Sequence, residues 1–199
     1  MEAQKMISPL QGAFMSNLVR AQRPKNVLEL GCYIGYSALW LAHGLHSGVR
    51  NSSNGDARLW TCERDRDVAQ MAKANIEMAG YKKSVTVLAQ PAESVLLEWD
   101  SKDKLDLVFI DANKSAYKKY YDLVLERDLL SARGQIVVDN VLFHGKVHTE
   151  NHAGVKPPLK KSRIAAKIHD FNQHVANDPR TFQIILPIFD GLMIVSRVD

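Results

Sequence analysis

The sequence predicts an α/β fold with a doubly wound, seven-stranded sheet, mostly parallel, and helices on both faces. Five short apolar segments alternate with segments of helical periodicity, an order typical of a parallel sheet covered on both sides. The last two apolar segments, 181–189 and 192–198, are joined by Asp190-Gly191, which predicts a C-terminal antiparallel hairpin. The chain has 199 residues and neither a repeat nor a linker, so we expect one domain over residues 1–199.

The composition is that of an ordinary globular protein, with 46% apolar and 24% charged residues. No apolar run has the length of a membrane span, and residues 1–5 do not resemble a signal peptide. The two cysteines, Cys32 and Cys62, lie in or beside predicted strands, which favours a reduced, cytoplasmic setting over a disulfide framework. The net charge of +4 permits an anionic substrate or RNA and points strongly to neither.

The first predicted helix begins after Ser8, which suits the N-cap, with Pro9 at the first helical position and Gln11 completing a capping box. The helix is expected to run to about Arg20, where the next proline ends it. Its apolar face is predicted to consist of Leu10, Phe14, Leu18 and Val19.

The segment that follows predicts a strand, a glycine turn and a helix. Val27 to Leu30 has the length of a strand, Gly31 and Gly35 form the turn, and a helical pattern covers 36–46. This order suits a nucleotide-type ligand, because glycine admits the ligand close to the backbone and the helix start offers unpaired N–H groups. The G-x-x-x-G spacing alone is equally compatible with an ordinary strand-to-helix turn.

The remaining elements alternate in the same way. Asp65 or Asp67 indicates the start of a helix, and Gly80 indicates its end. The predicted strands are 57–62, 84–89, 105–110 and 134–138, and the predicted helices are 65–79, 91–99, 114–127 and 164–175. Residues 47–55 and 141–161 are predicted to be loops.

Polar residues stand at nearly every predicted strand end. They are Glu29 to Gly31, Glu63, Gln90 to Ala92, Asp111, and Asp139-Asn140. Ligands of parallel sheets bind at these ends, and carboxylate and amide oxygens suit magnesium. Each residue also has a structural interpretation: Asp111 as a turn cap, Asp139-Asn140 as a turn pair, Glu63 as a helix-start carboxylate.

Five segments, in order, carry a resemblance to a known family. They are M-I-S-P-L-Q-G-A-F, L-E-L-G-C-Y-I-G-Y-S, F-I-D-A-N-K, V-V-D-N-V-L-F-H-G-K-V and L-P-I-F-D-G-L-M-I-V. Together they resemble the cation-dependent O-methyltransferases, the group of catechol and caffeoyl-CoA O-methyltransferases. These enzymes belong to the class I S-adenosylmethionine-dependent methyltransferases, which have a Rossmann-like sheet ending in such a hairpin.

The resemblance implies a role for each matching residue. The cofactor S-adenosylmethionine would be bound by Met6, Ile7, Glu29, Gly31, Tyr33, Ser37, Glu63, Arg64, Pro91, Ala92, Asp111 and Tyr120. Within that set, Glu29, Gly31 and Ser37 match the methionine end, and Glu63 matches the ribose. Asp111, Asp139 and Asn140 match ligands of Mg²⁺, or of Mn²⁺ or Ca²⁺. Lys114 matches the proposed general base and would, with Phe143, contact the substrate.

The expected function is therefore methyl transfer from S-adenosylmethionine to a hydroxyl of a catechol-type small molecule, by a homodimer without a membrane partner. Two departures bear on the acceptor: Asn113 stands where many relatives carry aspartate, and Phe143 where plant relatives carry tryptophan. One alternative is O-methylation of a hydroxylated wobble uridine in tRNA, which the basic pI near 9.0 permits. Another is a non-catalytic cofactor-binding protein, which the intact set around Lys114 and Asp111 disfavours.

Overall fold

The computed structural model of the protein describes residues 6–47, 57–147 and 163–198, and these form seven strands and six α-helices. The strands are β1 (Asn26–Leu30), β2 (Arg58–Cys62), β3 (Val85–Leu88), β4 (Leu105–Ile110), β5 (Leu130–Val138), β6 (Thr181–Leu186) and β7 (Leu192–Arg197). The helices are α1 (Pro9–Gln22), α2 (Tyr36–His46), α3 (Arg66–Met78), α4 (Ala92–Glu98), α5 (Tyr117–Glu126) and α6 (Arg163–Ala176). Within these described ranges, no helix is long and apolar enough to cross a membrane.

The seven strands form one sheet in the order β3-β2-β1-β4-β5-β7-β6. Strands β1 to β5 pair in parallel, whereas β7 is antiparallel to both β5 and β6. The predicted fold class, including the C-terminal hairpin, is confirmed. The chain proceeds outward from β1 to β3 and then returns to place β4 beside β1. The reversal between β1 and β4 is the point at which ligands bind in sheets of this kind.

Helices cover both faces of the sheet, and alternate strand residues serve the two cores. Val27, Phe109 and Val137 pack with α1, α2 and α3. Leu28 and Val108 pack with α4, α5 and α6 on the opposite face. Because side chains alternate along a strand, Glu29 projects to the same face as Val27. The polar site is thus built on the side of the sheet that α1 and α2 cover.

Helix α1 begins as predicted, and its buried face agrees with the predicted one only in part. The Ser8 side chain caps the helix by accepting from Gln11 N at 3.1 Å. Leu10, however, is 73% exposed. The buried residues are Gln11, Gly12, Met15, Ser16 and Val19. Val19 is buried and Phe14 and Leu18 pack against the core as predicted, but the position of Leu10 was predicted wrongly. Close packing on α2 decides the orientation, and a pattern of large apolar residues does not reveal small buried ones.

Two glycines allow that close packing. A Cβ on Gly12 would lie 2.3 Å from the Trp40 ring, and one on Gly44 would lie 2.4 Å from the backbone oxygen of Ser16. The helices are also joined by a hydrogen bond of 2.9 Å between Ser16 Oγ and His43 Nδ1. Helix α1 is therefore held tightly against α2.

The other boundaries agree with the predicted ones within a few residues. Strand β5 begins at Leu130 rather than Gly134, because Leu130 pairs with Leu105 ahead of a register shift. The predicted helix 114–127 starts as a 3-10 turn over Lys114–Ala116 before α5. Strand β6 ends at Leu186, before the hairpin turn, rather than at 189. Most of the predicted loop 141–161 lies outside the described residues, which resume at 163.

Candidate active site

The turn after β1 approaches β4 so closely that only glycine fits at its start. Gly31 has a φ of +94°, and a Cβ there would lie 2.5 Å from the backbone oxygen of Asp111. The N–H groups of Gly31 and Cys32 both donate to Cys62 O, at 3.1 and 3.0 Å. The turn is thereby fastened to β2 and presents its remaining backbone to the crevice between β1 and β4.

Glu29 is a fully buried carboxylate without a cationic partner within the described chain. Its relative exposure is 0%, and the Thr61 hydroxyl donates to one carboxylate oxygen. The other oxygen, Oε1, has no hydrogen-bond partner in the described chain. Burial raises the pKa of Glu29 to about 7, although the hydroxyls of Ser37 and Thr61 oppose the shift. A buried acid in this state is suited to receive a cationic group such as an ammonium.

Glu63 lies at the end of β2 and is fixed by two backbone amides. Its carboxylate accepts from Tyr33 N at 3.2 Å and from Asp65 N at 3.0 Å. Asp65, not Glu63, is the N-cap of α3, since it accepts from Asp67 N and Val68 N. The helix-start interpretation of Glu63 is therefore wrong, and its carboxylate is oriented at the rim of the same crevice.

The other predicted cofactor residues differ in their burial. Ile7 and Ala92 are each 8% exposed, and Tyr120 is 6% exposed. Met6 and Tyr33 are half-buried, and Ser37 is buried at the start of α2. Arg64 and Pro91 are exposed. Ala92 starts α4 at the carboxyl end of β3, whereas Tyr120 belongs to the second turn of α5.

Two carboxylates and a lysine meet at the ends of β4 and β5. Lys114 Nζ lies 3.0 Å from Asp111 Oδ1, and both side chains are largely buried. Asp139 is 2% exposed. Burial raises the pKa of both aspartates; Lys114 opposes the shift at Asp111, and the neighbouring Asp111 charge adds to it at Asp139. Two acids that resist ionisation side by side are suited to share a cation.

Asn140 completes this group through a left-handed backbone, with a φ of +58°. Its N–H donates to Asp139 Oδ1 at 2.7 Å, and its Nδ2 donates to Asp190 Oδ2 at 3.1 Å. Asp190 also accepts from His144 N. Because Nδ2 is directed to Asp190, the amide oxygen is the atom of Asn140 that can serve a cation.

The donor set of Asp111, Asp139 and Asn140 suits a hard divalent cation, which prefers oxygen ligands and keeps positions for water or substrate. A centre of at least three His, Cys, Asp or Glu side chains does not occur within the described ranges. The predicted set differs from such a centre in having an amide as its third member. The orientation of Asn140 and the raised pKa of both acids fit the predicted cation.

The residues after Asn140 form the mouth of the site. Phe143 and His144 have φ values of +45° and +55°, so this turn is held in an uncommon conformation. Leu142 N donates to Asp190 O at 3.0 Å, which ties the turn to the β6–β7 hairpin. The half-buried Phe143 ring has Lys146 Nζ 5.9 Å from its centroid. Phe143 N donates to Asn140 O at 3.2 Å, so the ring begins beside Asn140, and its contact with a substrate stays a prediction.

Comparisons with known proteins identify the family. The family profile described as O-methyltransferase matches residues 1–198. The chain belongs to the O-methyltransferase family. The predicted resemblance is confirmed, and so is the expectation of an S-adenosylmethionine-dependent O-methyltransferase.

Individual relatives of this O-methyltransferase are similar over most of its length. A catechol O-methyltransferase of Niastella koreensis is 38% identical over 160 residues, 79% of this chain and 66% of the relative. A caffeoyl-CoA O-methyltransferase of Populus kitakamiensis is 29% identical over 191 residues, 94% of this chain and 76% of the relative. The crystal structure of the S-adenosylhomocysteine-bound methyltransferase PaMTH1 of Podospora anserina matches with a TM-score of 0.85 and 30% identity, covering 99% and 82% of the two chains.

Three residues of the O-methyltransferase site escaped the sequence analysis. Thr61 binds Glu29 across the sheet, Asp190 binds Asn140 from the hairpin, and Gln11 is buried at the start of α1. Asp190 was interpreted only as a turn residue and Gln11 only as a capping residue. A useful signal was available for Thr61, since a polar residue in a buried strand needs a partner.

Proposed function

We propose that this O-methyltransferase transfers the methyl group of S-adenosylmethionine to one hydroxyl of a catechol-type aromatic acceptor, with a divalent cation bound by Asp111, Asp139 and Asn140. The observation that carries the proposal is the pair of buried acids beside an oriented amide, at strand ends next to the glycine turn. Relatives named as catechol and caffeoyl-CoA O-methyltransferases support the substrate class.

The cofactor would lie in the crevice between β1 and β4. Glu29, with Oε1 unpartnered in the described chain, would receive the amino group of the methionine end, next to Gly31 and Ser37. Glu63, oriented by Tyr33 N and Asp65 N, would accept from the ribose hydroxyls. Ala92 and Tyr120, both buried, would enclose the adenine, and Met6 and Ile7, just before α1, would cover the cofactor. Arg64 and Pro91 would form the outer rim.

When bound, S-adenosylmethionine would supply the methyl group, and the cation would lower the pKa of the acceptor hydroxyl and fix its position. The protein's part is to hold the acceptor oxygen in line with the methyl group. Positioning of this kind lowers a barrier by up to roughly 7–11 kcal/mol in the best cases. Phe143 would pack against the acceptor ring, and the exclusion of water by Ile7 and Tyr117 would strengthen the electrostatic interactions within the site.

Lys114 would act on the proton of the acceptor hydroxyl. Its amine is held 3.0 Å from Asp111 Oδ1 and 5.7 Å from the centroid of the Tyr117 ring, at the edge of the proposed cation site. A lysine so placed can accept the proton that the hydroxyl loses as the new O–C bond forms. The side chain reaches this place because Asn113 caps the 3-10 turn by accepting from Ser115 N at 3.3 Å.

We also propose that the enzyme is a cytoplasmic homodimer with one domain over residues 1–199, as the resemblance implies. Cys32 and Cys62 are buried free thiols, which fits a reducing compartment. Light scattering at several protein concentrations tests the dimer, and a monomer at all concentrations would contradict it.

The experiment that tests the function is a transfer assay with a methyl-labelled cofactor. Catechol, caffeoyl esters and total tRNA are offered with magnesium, with manganese and with a chelator, and Asp139→Asn serves as the variant. We expect label on the aromatic acceptors, loss of label with the chelator, recovery with either cation, and little turnover by Asp139→Asn. Label on tRNA alone would overturn the substrate class, and full turnover in chelator would overturn the metal.

A further inference from the structure

Gln11 is a buried amide whose role neither the fold nor the capping of α1 explains. It is 4% exposed, on the inner face of the first turn of the helix. Its Nε2 reaches no acceptor at normal hydrogen-bonding geometry among the described residues. Burying an amide donor without a partner is unfavourable, so such a group calls for an explanation.

The packing of α1 places this amide over the end of β5. Met15, one turn further along the same face, is fully buried in the cluster that contains Val137 and Leu192. Val137 precedes Asp139 by two residues on β5, so Asp139 continues the side of the strand that faces α1. Gln11 lies one helical turn before Met15, and Asp139 lies two residues beyond Val137. The amide and the carboxylate therefore meet at the same edge.

Asp139 has room for the donor that Gln11 carries. Its Oδ1 accepts from Asn140 N at 2.7 Å, which leaves further acceptor positions on a carboxylate that is 2% exposed. Phe14, one turn beyond Gln11 on α1, contacts Phe189 in the β6–β7 hairpin, with ring centroids 5.9 Å apart. The first turn of α1 therefore lies beside the hairpin whose Asp190 holds Asn140, the neighbour of Asp139.

We propose that Gln11 is a positioning residue for the cation site: when a cation is bound, its Nε2 donates to the Asp139 carboxylate and fixes that carboxylate in the orientation that binds the metal. The inference rests on the proposed function, since it assigns a role toward the same cation. Groups that orient a metal ligand in this way typically change metal affinity by about 10- to 100-fold when they are removed. Helix α1 would then orient a metal ligand, while Ile7, just before the helix, would contact the cofactor.

The chain offers a matched control on the same helix. Gln22, at the far end of α1, is also partly buried, donates from Nε2 to Asp106 O at 3.0 Å, and has a buried Oε1 without a partner in the described chain. It lies away from the strand ends that form the site. Replacing each glutamine by methionine preserves an unbranched side chain of similar length and removes only the amide.

The test is a calorimetric titration of cofactor-free wild type, Gln11→Met and Gln22→Met with Mn²⁺ alone, together with thermal unfolding of the metal-free proteins. We expect Gln11→Met to bind Mn²⁺ about 10- to 100-fold more weakly than wild type. Gln22→Met is expected to bind Mn²⁺ like wild type. Metal-free Gln11→Met should unfold at a temperature no lower than wild type, because an unpartnered donor has been removed.

Two results would overturn the inference, and they are distinguishable. Wild-type Mn²⁺ affinity in Gln11→Met shows that the amide does not orient Asp139, while the proposed metal site stands. Absence of Mn²⁺ binding by wild type removes the metal site and this role with it. Gln11→Leu repeats the measurement with a branched side chain, so that a folding defect of one variant does not decide the result.

Discussion

The acids of the site share one physical property, which is that burial holds back their ionisation. Glu29, Asp111 and Asp139 all have a raised pKa, and in each the largest cause is loss of solvent. Without ligands, these residues lower the stability of the folded state at neutral pH. The cationic partners that we propose, an ammonium at Glu29 and a divalent cation at the aspartates, would reverse that effect, so ligand binding and folding should be coupled.

The first prediction concerns Glu29 and pH. Its pKa is about 7 in the folded protein and near 4.5 in the unfolded chain, so between these values the unfolded state binds fewer protons. The group therefore lowers stability as pH rises through this window, by up to about 3 kcal/mol. In Glu29→Gln this loss is absent. We expect the stability of the variant relative to wild type to increase between pH 5 and 8, measured by urea unfolding without cofactor.

A matching measurement distinguishes the residue from general pH effects. Gln22→Met, which alters no titratable group, should differ from wild type by the same amount across the same window. A constant difference between Glu29→Gln and wild type at every pH would mean that Glu29 titrates alike in both states.

The second prediction concerns Lys114. If its amine accepts the acceptor proton, Lys114→Ala should lower kcat by roughly 10²- to 10⁴-fold, with little change in cofactor affinity. The residual rate should rise with pH, because hydroxide replaces the missing base. Lys114→Arg should not restore the rate, since arginine stays protonated. The measurement is a pH–rate profile at saturating magnesium, and wild-type kcat in the arginine variant would show that charge, not basicity, is what the residue supplies.

A site residue could be predicted from the sequence when its own segment of the chain determines where it lies. Strand-end acids such as Asp111 and Asp139 are visible in a single sequence because the carboxyl ends of parallel strands meet at one edge. Thr61 and Asp190 act across the fold, on partners 32 and 50 positions away in the chain, and the proposed partner of Gln11 is more distant still. A polar residue in a buried strand indicates that a partner exists, but the neighbouring sequence does not identify it.

At the scale of elements, the site depends on how closely α1 packs on α2. Gly12 and Gly44 remove the side chains that would separate the helices, and Ser16 and His43 join them. The sequence predicted both helices and the N-cap of the first, but it placed Leu10 on the buried face of α1 and did not reveal the small residues that pack on α2. The reason is that close helix packing favours small residues, which a search for large apolar ones overlooks. The resulting orientation carries Gln11 inward and Leu10 outward.

The third prediction follows from that contact. In Gly44→Ala the new methyl group would meet the backbone oxygen of Ser16, which cannot move without shifting α1. Overpacking of this kind destabilises by about 1–3 kcal/mol. In Gly12→Ala the methyl group meets the half-buried Trp40 side chain, which can turn toward solvent. We expect the free energy of unfolding in urea to fall clearly in Gly44→Ala and much less in Gly12→Ala; equal values would show that the backbone contact is not limiting.

At the scale of the whole molecule, the sheet order collects the site from segments that are distant in sequence. The return from β3 to β4 opens a crevice whose walls are the ends of β1, β2, β4 and β5, and the hairpin supplies Asp190 from the far end of the chain. The opposite end of the sheet, where the strands have their amino ends, contributes none of these groups. Asp106 holds that end together by accepting from Lys25 N, Asn26 N and Ser131 Oγ. Ligand binding should therefore stabilise one end of the molecule far more than the other.

The last prediction tests this division with S-adenosylhomocysteine, the product form of the cofactor. A ligand at 100 times its Kd stabilises the folded state by about 2.7 kcal/mol, which for a chain of this size raises the Tm by roughly 5–10 °C. Hydrogen exchange should slow in 29–37, 61–65 and 111–117, where the crevice lies, because these backbones lose their local opening when the ligand contacts them. Exchange at the edge strand β6 should hardly change, since it pairs only with β7 among the described strands and lies two strands beyond β5.

Glu29→Gln should show neither the Tm increase nor the local protection, because the proposed partner of the amino group is gone. Protection centred on β6 and α6, or retained in full by that variant, would place the cofactor elsewhere and contradict the site.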